Sequence, residues 1–346
     1  MACAGRLLPL RRADDLITKA RRSGKPGAAQ EEKTGTMATM HPDMQVLLDA
    51  RAAAGDKGDE AEGARRFWAA YTSALARPHP NDMAVHDSAA PSASGDVAVR
   101  VYRPAGGEGA RPCILYLHGG GFMLGDLDSS DSIAWGFAQG TGAVVVSIDY
   151  RLTPEHPYPA AFDDTYAVLS HVADHAEDFG IDPERIALAG DSAGGNLSAA
   201  ACLAARDRGG PKLVAQALIY PGTGLDQSSP SYVEHAESPG LTTAATKMYR
   251  DLYLPGMRDT DDPYARPVMA TDHSGLPPAW VHSAEIDPIR DDGRVYASKL
   301  AMAGNGVTYR EARGMIHGFM RARFSGAAAR AEFEAICSFL AGHLNS

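Results

Sequence analysis

Two short segments of this chain are apolar without interruption, and they constrain the fold more than any other feature. They are residues 113–117 and residues 143–148. A strand exposed on one face alternates polar and apolar side chains, whereas a strand buried on both faces does not. Helical patterns, with apolar residues three and four positions apart, lie between the strand candidates. The sequence therefore predicts an α/β fold with a mostly parallel, doubly wound sheet that carries helices on both faces. The other strand candidates span residues 97–102, 186–189, 215–220, 279–283 and 307–311, and the helix candidates span residues 132–140, 159–177, 194–208, 291–303 and 327–344.

Three segments stand apart from this alternation. Residues 43–76 show a helical pattern before the first strand candidate. Between residues 222 and 264, polar and Pro-rich stretches flank a second helical pattern over residues 242–253. An insertion placed after a strand could lie over the strand ends, where ligand sites form in α/β proteins. Residues 1–36 carry eight Lys and Arg against four Asp and Glu, and we interpret them as a disordered N-terminal extension. A mitochondrial transit peptide is the alternative for this stretch.

Charge and cysteine content exclude several classes of function. The formal net charge is −10, which disfavours binding to nucleic acid and to anionic membranes. We find no apolar run near the roughly 18 residues that span a bilayer. Cys3, Cys113, Cys202 and Cys337 are far apart and form no CxxC pair, so neither a disulfide framework nor a zinc site is expected. A reducing, cytoplasmic compartment fits these cysteines best.

A G-x-S-x-G pentapeptide, Gly190-Asp191-Ser192-Ala193-Gly194, is the first candidate for catalytic chemistry. It follows a short apolar strand candidate and opens a helix rich in Ala and Leu. That strand-turn-helix context is what a nucleophile elbow requires, with the Ser192 hydroxyl exposed above the sheet. The pentapeptide by itself is equally compatible with a glycine-rich helix cap around an ordinary serine.

A second glycine-rich loop, residues 118–122 (HGGGF), follows the strand at residues 113–117 directly. Glycines let the backbone approach a ligand closely and direct N–H groups at it. Acyl transfer needs such donors for the oxyanion of its tetrahedral intermediate. We predict an oxyanion hole formed by the amides of Gly119, Gly120 and Ala193. A phosphate-binding loop is the competing interpretation, but neither common phosphate-loop pattern matches. His118 is interpreted as structural, holding the loop through its ring nitrogens.

A serine nucleophile needs a base, and the base needs an orienting acid. In α/β-hydrolases the chain order is Ser, then Asp or Glu, then His. His317 lies in a predicted loop after the last strand candidate, and Asp287 follows the strand at residues 279–283. Asp291 suits the N-terminus of the next helix, where its charge is favoured. The other candidates considered are the downstream histidines His235, His273, His282 and His343 and the neighbouring acids Glu285 and Asp292.

Taken together, these motifs resemble the hormone-sensitive-lipase family of α/β-hydrolases, in its bacterial esterase branch. The matching blocks are residues 118–122 (HGGGF), 149–161 (DYRLTPEHPYPAA), 190–196 (GDSAGGN), and 285–291 (EIDPIRD) with 317–319 (HGF). The resemblance implies Ser192 as nucleophile, Asp287 as acid, His317 as base and an oxyanion hole from Gly119, Gly120 and Ala193. In the second block it implies that Asp149, Tyr150 and Arg151 stabilise the surroundings of the site and that Glu155 anchors the block.

The same resemblance implies an organisation and a substrate class. Residues 37–77 and 222–262 would form a helical cap over a catalytic domain of residues 78–221 and 263–346. The substrates would be short- to medium-chain acyl esters, with no metal or cofactor, and a homodimer would be reasonable. An amidase or formamidase would use the same residues. A non-catalytic ligand-binding relative is a third hypothesis, although such relatives look degraded at the base position, which here holds His317.

Overall fold

A computed structural model describes residues 38–56, 58, 60–106 and 109–346 of the chain. The strands within these residues are β1 (Ala84–Ser92), β2 (Gly95–Arg103), β3 (Arg111–Leu117), β4 (Val144–Ile148), β5 (Ile181–Asp191), β6 (Ala215–Ile219), β7 (Ala279–Ile286) and β8 (Val307–Ile316). They form one sheet in the order β1-β2-β4-β3-β5-β6-β7-β8. β1 and β2 pair antiparallel, and so do β2 and β4, whereas every other neighbouring pair is parallel. The predicted α/β fold is confirmed.

Helices connect most of these strands. The α-helices of the described residues are α1 (Gln45–Ala54), α2 (Ala61–Leu75), α3 (Leu127–Thr141), α4 (Ala160–Asp174), α5 (Ala193–Asp207), α6 (Pro230–Glu234), α7 (Thr243–Tyr253), α8 (Arg290–Met302) and α9 (Ala327–Leu344). Short 3₁₀ helices lie at Pro42–Met44, Pro267–Met269 and Phe319–Ala322. Within this part of the chain, no helix combines the length and apolar character needed to cross a membrane.

The sheet is covered on both faces, as the uninterrupted apolar strands predict. Cys113, Leu115 and Leu117 of β3 belong to one buried cluster, which also takes in side chains of α4, α5 and α8. Ile114 and Tyr116 of the same strand point into a second cluster with α3 and α9. All five side chains are fully buried, and burying one large apolar side chain stabilises a fold by about 1.5–3 kcal/mol. Both cores therefore hold the strand ends in place.

The structure differs from the sequence predictions at the edges of the fold. β1 was not predicted, because most of its residues are exposed and it contains Pro91, as edge strands tolerate. α3 begins five residues before the predicted helix, at Leu127, where the Asp126 carboxylate accepts the Ser129 N–H at 2.7 Å. The helical region at residues 43–76 forms two helices, since Gly55 ends α1 with a φ of 83°.

The helices outside the sheet layers are α1, α2, α6 and α7, and α2 is tied to loops at the strand ends by Arg65. Its guanidinium donates to the Met123 and Thr153 carbonyl oxygens at 3.1 and 2.9 Å. It also forms two bonds to the Glu155 carboxylate at 2.9 and 2.6 Å. α2 is thereby fixed beside the loop that follows β3. The predicted extension at residues 1–36 lies outside the described residues.

Candidate active site

Ser192 lies at the sharp turn between β5 and α5, and its backbone is strained. Its φ is 57°, a conformation that non-glycine residues rarely adopt. The turn requires glycine on both sides: a Cβ on Gly190 would collide with Gly194 O, and one on Gly194 would collide with Leu117 O. The Ser192 N–H donates to Ile219 O at 2.9 Å, which ties the turn to β6. This geometry presents the hydroxyl at the carboxyl ends of the parallel strands, as an elbow motif predicts.

His317 and Asp287 reach Ser192 from the ends of two neighbouring strands. Ile286 and Ile316, the last residues of β7 and β8, pair in register, so the residues that follow them lie side by side. His317 Nδ1 lies 2.7 Å from Asp287 Oδ2, and His317 Nε2 lies 2.8 Å from Ser192 Oγ. Asp287 is fully buried, and its Oδ1 accepts the Ile289 N–H at 3.0 Å. A base placed between a hydroxyl and a buried carboxylate can take the hydroxyl proton.

The other candidate histidines lie elsewhere and have partners of their own. His235 Nε2 lies 2.9 Å from Arg290 Nη1, and His273 Nε2 lies 3.3 Å from Pro267 O. His282 is a buried residue of β7, 3.0 Å from Glu332 Oε2. His343 makes an edge-to-face contact with Phe339 near the end of α9. Among the described histidines, only His317 is within hydrogen-bonding distance of Ser192 Oγ.

The neighbouring acids are likewise engaged in other contacts. Glu285 pairs with Arg313 at 2.6 Å and accepts the Gly314 N–H. Asp291 lies in the first turn of α8, as expected, with ion pairs to Arg290 at 3.1 Å and Arg294 at 3.0 Å. Asp292 accepts two backbone N–H groups of the loop after β6. Of the acids in this cluster, Asp287 alone contacts His317 in the described part of the chain.

The glycine loop corrects one prediction. The Gly119 amide donates to Asp191 Oδ1 at 2.9 Å, so it is occupied and is not available to an oxyanion. Gly121, which was not predicted, borders the cavity at Ser192 together with Ala193. Gly120 and Gly121 have φ values of 143° and 63°. Within the described residues, no acceptor is found for the amides of Gly120, Gly121 or Ala193. The free donors at this site are therefore those three amides.

Asp191 is a residue of the site that the sequence analysis missed. Its Oδ1 accepts the Tyr116 hydroxyl at 2.6 Å as well as the Gly119 amide, and its Oδ2 lies 3.4 Å from the Tyr220 hydroxyl. The residue is almost fully buried. Its position immediately before Ser192 in the pentapeptide was the available signal. Asp191 connects the turn at Ser192 to the glycine loop through the Gly119 amide, and so it ties the backbone of the two segments together.

His118 is structural, as predicted, but through one ring nitrogen only. Nδ1 lies 3.0 Å from Gly119 O, and the ring stacks on Tyr150 with centroids 4.3 Å apart. The Tyr150 hydroxyl donates to His118 O at 2.6 Å. The prediction is wrong for Nε2, which is buried without a partner among the described residues. Burial lowers the pKa of His118, which keeps the ring uncharged beside the site. Arg151, which follows Tyr150 in the block of residues 149–161, forms an ion pair with the buried Asp164 at 2.8 Å.

Two cavities lie at this end of the molecule. One, of about 90 Å³, is bordered by Gly121, Ser192 and Ala193 and extends under α7. The other, of about 680 Å³, lies between α2 and α7 and is bordered by Trp68 among other apolar side chains. Tyr249 of α7 borders both cavities. We call them the inner and the outer cavity. The Ser192 side chain borders the inner one.

Comparison with known proteins agrees with this geometry. Residues 114–321 match a family model described as alpha/beta hydrolase fold. The carboxylesterase NlhH of Mycobacterium tuberculosis is 47% identical over 228 residues, covering 65% of this chain and 72% of that protein. The carboxylic ester hydrolase LipN of the same species is 38% identical over 320 residues, covering 89% and 84%.

The solved structures include a hyperthermophilic esterase from Pyrobaculum calidifontis. It superposes with a TM-score of 0.80 at 36% identity, over 88% of this chain and 98% of that one. The ester-hydrolase EH1AB1 from the metagenome of Lake Arreo superposes with a TM-score of 0.83, also at 36% identity, over 89% and 100%. The sequence motifs, the sheet topology and these relatives agree, and the chain belongs to the hormone-sensitive-lipase family of α/β-hydrolases.

Proposed function

We propose that this chain, a carboxylesterase, hydrolyses short- to medium-chain acyl esters through an acyl-enzyme on Ser192. The observation that carries the proposal is the continuous chain of hydrogen-bonding contacts from Ser192 Oγ through His317 to Asp287, at 2.8 and 2.7 Å. Within the described residues, Ser192 has no other side-chain base within reach. The family relatives with ester-hydrolase names support the same bond class.

In this mechanism the buried Asp287 carboxylate accepts the Nδ1–H of His317, which leaves the Nε2 lone pair directed at Ser192. His317 then takes the hydroxyl proton as Ser192 Oγ attacks the ester carbonyl carbon. The Nε2 proton is next given to the alcohol as the C–O bond breaks. A water molecule then takes the place of the alcohol, gives its proton to His317 Nε2 and attacks the acyl carbon. The bond from that carbon to Ser192 Oγ breaks, Oγ regains the proton from His317, and the acid is released. Asp287 orients the ring and stabilises its charged form without itself becoming protonated.

The oxyanion hole of the proposal consists of the amides of Gly120, Gly121 and Ala193. Ala193 is the first residue of α5, and its N–H has no partner inside the helix. Gly120 and Gly121 contribute the loop donors, while the Gly119 amide is held by Asp191. Removing one such donor typically costs a factor of about 10²–10³ in kcat. Asp191 is a positioning residue in this scheme.

The cap in this proposal consists of residues 37–77 and 222–262, over a catalytic domain of residues 78–221 and 263–346. α7 supports it, because Tyr249 and Tyr253 of that helix border the inner cavity. The Tyr253 ring also stacks on Phe122 of the glycine loop, with centroids 3.7 Å apart. The small volume of the inner cavity, about 90 Å³, favours short acyl groups.

The test is hydrolysis of p-nitrophenyl esters, from acetyl to palmitoyl, by the wild type and Ser192→Ala in parallel. A fluorophosphonate probe applied to both proteins reports whether Ser192 is the nucleophile. We expect activity on short chains and labelling of the wild type, with both lost in a folded Ser192→Ala variant. A folded wild type that hydrolyses p-nitroanilides but none of the esters would instead favour the amidase hypothesis. A wild type that is neither labelled nor active would favour the non-catalytic relative.

A further inference from the structure

The inner cavity lies on the acyl side of the scissile bond, provided that the proposed function is correct. Its border includes Ser192, Ala193 and Gly121, whereas His317 lies outside it. The leaving alcohol takes its proton from His317 Nε2, so that alcohol must lie on the His317 side. The outer cavity is on that side, since Gly240 on its border approaches His317 O. The acyl group therefore enters the inner cavity.

Two arginine side chains, Arg250 of α7 and Arg266, border this acyl cavity. Both donate to neutral acceptors. Arg266 Nε donates to Gly224 O and its Nη1 donates to Thr260 O, both at 2.9 Å, and Arg250 Nη2 donates to Leu225 O at 2.7 Å. These bonds hold the guanidinium groups in place and leave several of their N–H donors unused. Across the described residues, neither arginine has a carboxylate oxygen within 4.0 Å.

The acids near the two arginines offset their charge only without direct ion pairs in the described residues. Asp292 also borders it, but its Oδ1 accepts the Gly224 and Leu225 N–H groups at 3.0 Å and its Oδ2 accepts the Tyr232 hydroxyl at 2.9 Å. Asp226, Asp259 and Asp261 also act on Arg266 and raise its pKa against the effect of burial, but none of them forms an ion pair with it in the described residues. Burial and then the nearby charge of Arg250 lower the pKa of Arg266, which is 7% exposed. The two guanidinium groups therefore repel each other.

Arg250 is half-buried, whereas Arg266 is buried, and a buried charge is ordinarily paired because an unpaired one is costly. A substrate could supply the missing counter-charge, and an arginine can hold a carboxylate through two parallel hydrogen bonds. We propose that the acyl cavity recognises a carboxylate on the acyl group, so that the preferred substrates are monoesters of short dicarboxylic acids. Hydrolysis with one water yields the free dicarboxylic acid and the alcohol. The cavity volume of about 90 Å³ fits an acyl group of a few carbons better than a long chain.

The test compares two esters of equal size, monoethyl succinate and ethyl succinamate, in a pH-stat at pH 7.5. The first carries a carboxylate where the second carries a neutral amide. We expect the wild-type kcat/KM to favour the succinate ester by at least about tenfold, a typical gain for a charged hydrogen bond. Because the recognition is electrostatic, the preference should fall as NaCl is raised from 0.05 to 1 M. A ratio near one, or a preference for the amide, would overturn the proposal.

Substitutions at the two arginines test whether they cause the preference for the succinate ester. Arg250→Gln and Arg266→Gln should each bring the ratio of the two kcat/KM values towards one, and the lysine variants should retain part of it. Arg258→Gln is the matched control, since Arg258 belongs to the same segment but contacts Gln227 and Asp251 outside the cavity. A ratio that survives both glutamine variants would contradict the assignment. The wild-type salt series decides the question if the glutamine variants fail to fold.

The result also separates this proposal from the function on which it rests. Ethyl butyrate serves as a third substrate. If the wild type is labelled by the fluorophosphonate and hydrolyses ethyl butyrate but not monoethyl succinate, only the carboxylate subsite is refuted. If it is neither labelled nor active on any of the three esters, the esterase mechanism itself is refuted.

Discussion

Replacing Asp287 with asparagine should disable the enzyme by trapping His317 in the wrong tautomer. Asp287 Oδ1 accepts the Ile289 N–H at 3.0 Å, while Oδ2 faces His317 Nδ1 at 2.7 Å. In the Asp287→Asn variant, the amide oxygen should keep the Ile289 N–H, so that its NH₂ group faces Nδ1. Nδ1 must then accept, and the ring proton moves to Nε2. Nε2 can no longer accept the proton of Ser192.

The size of the loss in kcat depends on how rarely the asparagine side chain of the variant adopts the opposite orientation, with its oxygen towards His317. Turning the asparagine would place its NH₂ against the buried Ile289 N–H, which leaves donors unsatisfied at a cost of about 1–3 kcal/mol. The productive tautomer is therefore rare, and the variant also lacks the negative charge that stabilises imidazolium. The equivalent change in the serine-protease triad lowers kcat by about 10⁴. We expect a loss of about 10³–10⁴, or about 4–5.5 kcal/mol of transition-state stabilisation.

Steady-state hydrolysis of p-nitrophenyl butyrate measures kcat for this variant, and thermal unfolding monitored by circular dichroism checks that it folds. Asp291→Asn is the control, four residues further on, because Asp291 pairs with Arg290 and Arg294 and not with His317. We expect its kcat to stay within about threefold of the wild type. A folded Asp287→Asn variant that retains kcat within tenfold would refute the tautomer argument. A large loss in Asp291→Asn instead would move the acid to that residue.

Two further changes test the supports of the site. Asp191→Ala leaves the buried Tyr116 hydroxyl and the Gly119 amide without their acceptor. It should lower the free energy of unfolding by about 2–5 kcal/mol, measured in urea, and lower kcat more than it raises KM. Tyr220→Phe, which removes only a 3.4 Å contact to Asp191, should do neither. The Arg65 hydrogen bond lowers the pKa of Glu155 from 4.5 to about 2, so the pair stabilises the fold above pH 4.5 and loses that contribution as pH falls towards 2. Since Glu155 is half-exposed, Glu155→Gln should cost at most about 1 kcal/mol at pH 7, and urea titrations should show this difference shrinking at pH 3.

Local signals were enough to predict the sheet and the positions around Ser192. An uninterrupted apolar strand such as β3 needs covering on both faces, and the two buried clusters provide it. A strand, a glycine-flanked serine and an Ala-rich helix in succession identify the elbow, because only glycine fits the contacts at positions 190 and 194. Edge strand β1 escaped prediction because its side chains are mostly exposed and carry no apolar pattern.

The oxyanion donors show where such local reasoning ends. Three consecutive glycines supply three amides, and nothing in their spacing tells which amides are free. Gly119 is excluded by a carboxylate 72 positions away in the chain, and that contact exists only once β3 and β5 pair in parallel. The sequence predicted Gly119, Gly120 and Ala193 as donors, whereas the structure shows the Gly119 amide bound to Asp191, so the proposed oxyanion hole takes Gly121 in its place.

The residues that we propose react and those that we propose face the acyl group are positioned by different parts of the fold. Ser192, Asp287 and His317 each follow directly on the end of a strand, so the pairing of β7 with β8 and the turn after β5 dictate where they lie. Arg250 and Arg266 lie outside the sheet. Both belong to the long segment between β6 and β7, where no pairing with a neighbouring strand fixes their positions. In the part of the chain that the structure describes, their hydrogen bonds go to carbonyl oxygens of Leu225, Gly224 and Thr260, and not to Ser192 or His317. The type of bond that is cleaved can therefore be inferred from sequence motifs at the strand ends. The preference for an acyl group depends, in our proposal, on side chains of the segment between β6 and β7, and only the folded structure shows which of these side chains lie together.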